Sequence, residues 1–414
     1  GGALPLQLGA AEGSHALEFR SAEVGVADGE RLRARLRAEP VDAHDLATIC
    51  WTSGTEGMPK GVPRTHDHWL AISHAHFEGV GIRPHETLLN PFPLVNMAAI
   101  GGCFMSWLHA QGTLVLHHPL ELQVYLAQIA AERPQYAIAP PAVLNMLLQD
   151  ERLLAQTDLS SLRCIGSGSA PLEPAMIRGY RERFGIEVVN IFGSNEGMTL
   201  LSGPKEAPDP EMRARYFPRF GRADVAWPQR VARAIETRIV DPETGSEILA
   251  AGQPGEMQIR GPTVFEGYFA APQLNASAFT EDGFFHTGDL FEIASDARYY
   301  RFVGRLKQLI IRGGVKIAPD EIETVLAGHP GVAEACALGF RDATLGERIC
   351  AVIVRRAGTA PVTLQSVHEL FRERGMAVFK WPERLREIQA ALSVELTRTD
   401  VYAIVAASQG HPLP

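Results

Sequence analysis

Several features that would assign a sequence quickly are scarce here. The five cysteines (Cys50, Cys103, Cys164, Cys336, Cys350) are scattered, odd in number and mostly embedded in apolar runs. That excludes a disulfide framework and a zinc-ligand spacing, and it reads as reduced core thiols in a cytoplasmic protein. No apolar run is long enough to span a membrane; Met97 to Leu108 is broken by glycines and ends at His109. Basic residues are in deficit, 39 Lys and Arg against 48 Asp and Glu for a net charge of −9. Nucleic acid is therefore discounted as a partner, because no surplus exists to neutralise a phosphate backbone. Internal repeats and low-complexity tracts are also lacking. What remains is globular: 414 residues, 46% hydrophobic and 21% charged, enough for two or three domains. The first residue is Gly1 rather than an initiator methionine, and the expectation is a fragment.

One stretch organises the rest, Cys50-Trp51-Thr52-Ser53-Gly54-Thr55-Glu56-Gly57-Met58-Pro59-Lys60-Gly61. It follows an apolar run (Leu46, Ala47, Ile49, Cys50) that reads as a buried strand. Glycines let backbone N–H groups approach an anion, the hydroxyls of Thr52, Ser53 and Thr55 add donors, and Lys60 supplies charge. The reading is a phosphate-holding loop, against the alternative of a polar surface turn. It is not the G-x-x-x-x-G-K-[ST] pattern of P-loop NTPases, because Gly61 follows Lys60.

Downstream, Thr65 or Asp67 opens a helix through Val80, and His66 and His68, two apart, face different sides of it rather than sharing a metal. Apolar strands and helices then alternate: Thr113 to His117, Leu120 to Glu132, Tyr136 to Ala139, Pro141 to Leu148 and Leu162 to Ser167. This pattern predicts a parallel sheet covered by helices. Two glycine and hydroxyl clusters follow strand ends, Ile165 to Pro171, leading into a helix, and Val188 to Gly197. Ligands of open α/β sheets bind beyond such carboxyl ends. From about Phe220 short strands and turns predict an antiparallel β subdomain, closed by Phe284-Phe285-His286-Thr287-Gly288-Asp289-Leu290. A separate unit follows Arg305 to Lys307, with strands at Val332 to Gly339 and Ile349 to Arg355 and a helix at Thr363 to Arg374.

The order of motifs resembles the adenylate-forming, AMP-binding superfamily, in its acyl-CoA synthetase and aryl-acid ligase branch, over roughly residues 40–390. The matching pieces are the loop 52–61, Gly-Ser-Gly-Ser-Ala-Pro, Phe-Gly-Ser-Asn-Glu-Gly, Gly255-Glu256, Thr-Gly-Asp, and Gly-Arg-x-Lys with Gly-Gly-x-Lys-Ile. The resemblance implies an α/β fold with a large N-terminal domain of parallel sheets, helices and a β subdomain (1–304, incomplete at its start). A small mobile α+β C-terminal domain (305–414) would be joined to it by a hinge at Arg305 to Lys307. It further implies that Thr52, Ser53, Gly54, Thr55, Gly57 and Lys60 wrap the ATP phosphates. Gly168, Ser169 and Ala170, with Asn190, Ile191 and Phe192, would frame adenine, with Phe192 against the base. Glu196 would be the magnesium carboxylate and Asn195 a donor to the α-phosphate. Asp289 would hold the ribose hydroxyls and Arg305 support ribose or phosphate. Lys307 would be the hinge, and Gly313 and Gly314 would line the pantetheine approach. Asn96, Met97, Gly168, Gly193 and Met198, with Leu200, would form the acid pocket.

The implied cofactors are ATP, Mg2+ and CoA, or the phosphopantetheine of a carrier protein, and the substrate is a small carboxylic acid. Three functions stay open at this point: an acid:CoA ligase, an aryl-acid adenylating enzyme loading a carrier protein, toward which Pro63-Arg64-Thr65-His66 leans, and an inactive nucleotide-binding relative. Four departures from the family pattern bear on activity. Glu56 places an anion inside the phosphate loop, Asn195 replaces a threonine, and Asn96 stands where an aromatic or histidine is common. The fourth is the family's C-terminal catalytic lysine, which falls on Thr399, beside Arg398, with no lysine after Lys380.

Overall fold

The structure, a computed structural model, describes residues 6–10, 17–21, 26–52, 59–197, 199–342, 344–388 and 401. Its centre is a six-stranded sheet in the order Thr199–Ser202, Glu187–Gly193, Cys164–Gly168, Tyr136–Ile138, Thr87–Asn90, Thr113–Leu116. All neighbours are parallel except the edge strand Thr199–Ser202. The expected alternation is present, and its strands read as continuous apolar runs because both faces are covered. Helices Leu122–Glu132, Pro141–Gln149 and Pro174–Phe184 pack on Leu89, Ala137, Ile165 and Val188. Val80, Cys103 and Ala110, from the opposite layer of helices, pack on Leu88, Tyr136, Cys164 and Val189.

The β subdomain is a five-stranded antiparallel sheet ordered Tyr216–Pro218, Tyr299–Arg305, Phe285–Ile293, Gly255–Arg260, Glu236–Val240. Its inner face shares one core with the helix His66–Val80: Trp69 and Ile72 pack with Phe217, Met257, Ile259, Phe265, Phe291 and Tyr300. Each such side chain contributes about 1.5–3 kcal/mol by leaving water. The last unit is an antiparallel sheet, Val315–Ile317, Ile310–Arg312, Gly346–Arg355, Val332–Asp342, with Arg384–Ile388 added parallel to Gly346–Arg355. It has a separate core of Ile317, Ile322, Leu326, Val332, Ile349, Val367 and Phe371. Helix Leu364–Glu373 is started by a reciprocal box in which Thr363 and Ser366 cap each other's backbone. Arg305 ends the β subdomain's last strand, and Lys307 lies exposed in the single turn Leu306–Gln308 between the two sheets.

Two local expectations are corrected. Leu46–Thr52 is not a buried strand of the main sheet; it pairs antiparallel with Lys60–Thr65 as a two-stranded hairpin. Leu46 and Trp51 are 49% and 60% exposed, so the apolar run reflected one covered face only, with Cys50 and Val62 inside. The cluster Ile165 to Pro171 does lead into a helix, Pro174–Phe184, whereas Leu200, expected to line a pocket, is wholly buried in the shared core. All five cysteines are free and buried, as the sequence predicts. Among the described residues no helix is long and apolar enough to cross a membrane.

Candidate active site

Two adjacent parallel strands, Cys164–Gly168 and Glu187–Gly193, end together, with Gly168 paired to Ile191. A Cβ at position 168 would lie 2.1 Å from the Ile191 carbonyl oxygen, so only glycine admits this approach. The chain leaves Gly168 through Ser169, which holds φ +70°, a conformation costly for a non-glycine residue. Ser169 and Ala170 are exposed there. Beside them, Ile191 and Phe192 are half-buried and Gly193 is exposed. The Phe192 ring packs against Phe217, Phe291 and Phe302 at centroid distances of 5.7, 5.2 and 5.0 Å. Asn190 lies elsewhere than the expectation placed it. It is 5% exposed, and its amide donates to the carbonyls of Arg213 and Ala214 at 3.1 and 3.0 Å. The period of two explains this: Asn190 points to the opposite face from Ile191.

Past Gly193 the chain turns through Asn195 and Glu196, and the turn is tied from four directions. Asn195 Oδ1 accepts the Met97 N–H at 2.8 Å, which presents the amide's Nδ2 as its remaining polar end. Phe265 N–H donates to the Glu196 carbonyl at 3.0 Å, and Tyr268 Oη donates to Glu196 Oε1 at 3.1 Å. The fourth tie is Arg64, 0% exposed, whose Nε donates to the Asn195 carbonyl at 3.0 Å and Nη1 to that of Thr263 at 2.8 Å. Burial lowers the Arg64 guanidinium to about 10, which still leaves it charged at neutral pH. Asn96, beside Met97, caps the short helix Met97–Ala99 by accepting the Ala99 N–H at 3.1 Å.

Thr52 and Lys60 close the hairpin as a cross-strand pair, and Lys60 Nζ stands 5.1 Å above the Tyr268 ring. Ser53, Gly54, Thr55, Glu56 and Gly57 lie outside the described residues, as do Met198 and the 392–399 segment with Thr399. On the β subdomain, Asp289 and Arg305 are cross-strand partners, joined Nε to Oδ1 at 3.0 Å. Asp289 is 4% exposed. Burial pushes its carboxyl up to about 6; Arg305 opposes the rise, and Glu196, Asp320 and Glu256 add to it. Thr287 and Gly288, which precede it, are held by bonds from Thr287 Oγ1 to the Met257 carbonyl and from Gly288 N–H to Glu256 Oε1. The second Glu256 oxygen meets His286 Nδ1 at 2.8 Å.

The structure therefore joins Met97 to Asn195 directly and Lys60 to Glu196 through Tyr268, with Asn96 beside Met97, and pairs Asp289 with Arg305 at a distance where Glu196 is felt. Gly313 and Gly314 are not among them. They form the two-residue turn of the hairpin Ile310–Ile317, with φ +58° and +82° as such a turn requires, and Gly313 N–H donates to the Leu345 carbonyl. A cleft of about 400 Å³ lies away from Asp289, lined by Asp67, His68, Arg260, Phe265, Glu266 and Phe279. Sequence reasoning missed three residues that hold the site. Glu256 was quoted within a motif without a role, Arg64 only within Pro63-Arg64-Thr65-His66, and Tyr268 was not singled out. For Arg64 one signal was present: it follows Val62 at a spacing of two, which places a charge on the inward face of a strand.

Comparison with known proteins gives a consistent result. A family model described as AMP-binding enzyme matches residues 7–269, and one described as AMP-binding enzyme C-terminal domain matches residues 321–400. The chain is 32% identical over 321 residues to a probable CoA ligase, CCL5, of Humulus lupulus, covering 77% of this chain and 56% of that protein. It is also 32% identical over 351 residues to pyochelin synthase PchD of Pseudomonas aeruginosa, covering 84% and 60%. The crystal structure of ATP-bound MatB from Rhodopseudomonas palustris superposes with a TM-score of 0.74 at 29% identity, covering 88% of this chain and 69% of that one. The chain thus spans about three-fifths of the length of these two curated relatives.

Proposed function

The chain belongs to the AMP-binding enzyme family, and from that premise we propose that it activates a carboxylic acid as its acyl-adenylate and passes the acyl group to the thiol of CoA. The observation that carries this reading is the buried Asp289–Arg305 pair, set beside a Glu196 turn fixed by Arg64, Asn195 and Tyr268. A carboxylate kept from water and steadied by one arginine has acceptor capacity left for two vicinal ribose hydroxyls. Phe192, half-exposed at the end of its strand, offers an aromatic edge to a base. Lys60 and Arg305 supply positive charge toward the phosphates.

In the first half-reaction the acid's carboxylate oxygen attacks the α-phosphorus of ATP, the bond to the bridging oxygen breaks, and pyrophosphate leaves. The protein's part is positioning and compensation of developing charge. The Asn195 amide donates toward the α-phosphate and Lys60 toward the departing oxygens. In the second, a thiolate attacks the acyl carbon and AMP leaves. Among the described residues no group of three or more His, Cys, Asp or Glu is arranged to hold a metal ion. Magnesium in such sites takes most of its ligands from phosphates and water and needs only one or two carboxylates, and Glu196 fits that requirement. When bound, the ion supplies neutralisation of phosphate charge. The division into residues 1–304 and 305–414, with rotation about Lys307, is part of the same proposal; the separate core of the last sheet supports it.

The resemblance of Pro63-Arg64-Thr65-His66 to the aryl-acid group, and the likeness to pyochelin synthase PchD, favour a second acceptor, a carrier protein's phosphopantetheine. The test supplies chemically made acyl-adenylates, bypassing ATP, with either CoA or a phosphopantetheinylated carrier protein. Thioester formation with CoA at least about tenfold faster than with the carrier supports the first reading. The reverse ratio assigns the carrier protein, and thioester with neither rejects ligase activity for this chain.

A further inference from the structure

Tyr268 is clamped more completely than a half-buried tyrosine on a connecting segment requires. Its backbone N–H donates to Asn275 Oδ1 at 2.7 Å, and its carbonyl accepts from Asn275 Nδ2 at 3.0 Å. The next residue, Phe269, donates its N–H to the Gly61 carbonyl at 2.8 Å, which ties the segment to the strand that carries Lys60. Three residues earlier, the Phe265 N–H is bonded to the Glu196 carbonyl, and the Phe265 ring packs edge-on against that of Tyr268 at 4.8 Å. With its backbone so held, the side chain has one ammonium, Lys60 Nζ, 5.1 Å over its ring and one carboxylate, Glu196 Oε1, 3.1 Å from its hydroxyl. Burial, and then Glu196, push the phenol well above its ordinary value, so the hydroxyl remains a donor.

We propose that Tyr268 is a positioning residue that holds the Lys60 ammonium and the Glu196 carboxylate in a fixed relation, so that a divalent cation and the phosphates it accompanies meet a preset pair of charges. The inference rests on the nucleotide reading above. The ring takes up the ammonium and the hydroxyl takes up one carboxylate oxygen. Each charge is thereby kept from neutralising the other while remaining open to a ligand. Without the hydroxyl, Glu196 loses the donor that orients it; without the ring, Lys60 and Glu196 are free to pair with each other.

The experiment is equilibrium binding by the whole chain, with Mn2+ as the probe cation followed by its paramagnetic resonance in the presence of ATP, and with ATP alone in excess chelator followed by calorimetry. Tyr268→Phe is expected to weaken Mn2+ binding in the ternary complex about tenfold, the scale of one hydrogen bond to a charged group, and to leave metal-free ATP within twofold of the parent. Tyr268→Leu is expected to weaken both. Thermal unfolding of both variants, run in parallel, identifies a loss that comes from folding alone. The proposal is overturned if Tyr268→Phe leaves Mn2+ binding unchanged, or lowers both affinities equally with a matching loss of stability. If the parent chain binds no nucleotide under either condition, the underlying reading falls and the proposal with it.

Discussion

Arg64→Met is expected to lower the stability of the chain by about 3 kcal/mol, through two carbonyl oxygens left without donors inside the protein at roughly 1–3 kcal/mol each. In thermal unfolding this corresponds to a fall of roughly 5–10 °C. Both acceptors, the carbonyls of Asn195 and Thr263, sit far from Arg64 in sequence and are joined by its planar fork. Methionine fills part of the same volume but replaces neither these bonds nor the guanidinium's place 5.8 Å over the Trp69 ring. Relief of the buried charge offsets part of the loss, since burial already depresses this guanidinium. Arg64→Lys is expected to lose about half as much, because one ammonium cannot serve two carbonyls in the geometry of a guanidinium. A methionine variant that melts within a degree of the parent removes Arg64 from the role assigned to it. The same substitution is expected to loosen the Asn195–Glu196 turn, so nucleotide affinity should fall together with stability.

The second large effect is on rate. Acid-dependent pyrophosphate release by this chain is expected to be about 10²–10³-fold below what Thr399→Lys restores, the scale on which one positioned charge or donor acts in a transition state. Thr399 lies outside the described residues, and its match to the family's lysine is a matter of sequence. The resemblance implies that the family's lysine bridges the carboxylate and the α-phosphate in the first half-reaction, and a threonine hydroxyl would bring no charge there. Thioester formation from ready-made adenylate should change little in the same variant, because that half-reaction does not call on this position. Pyrophosphate release by the parent chain as fast as by Thr399→Lys refutes the assignment of position 399.

Much of this architecture was legible in the residues. The strand and helix alternation from Thr87 to Gly193 and the change of texture near Phe220 correspond to the two sheets, because each has a hydrophobic period of its own. Asp289 and Arg305 were expected in one place and are cross-strand partners. Other features were hidden for physical reasons. The run before Thr52 looked buried, yet a two-stranded hairpin covers one face only, and composition over seven residues does not distinguish that from a sheet interior. Asn190 sits within a functional-looking cluster but points away from its neighbours, because alternate strand residues face opposite sides. Arg64, Tyr268 and Glu256 act by reaching backbone or side chains distant in sequence, and no local pattern encodes such reach. The site's chemistry therefore announced itself in glycines and carboxylates at strand ends, while the groups that hold them emerged only from the three-dimensional contacts.

The central claim is that an adenosine nucleotide is held at Asp289, and calorimetric titration with AMP tests it most directly. Saturable binding is expected at pH 7.5, weakened at least about tenfold in Asp289→Ala by loss of a charge-assisted pair of hydrogen bonds. Asp282→Ala, which alters an exposed carboxylate preceding the same strand, is expected to bind like the parent. Because burial raises the Asp289 carboxyl to about 6, the acceptor form dominates above that value, so parental affinity should fall as pH drops from 7.5 through 6 to 5. AMP binding that is equal in Asp289→Ala and the parent, at every pH in that range, contradicts the account.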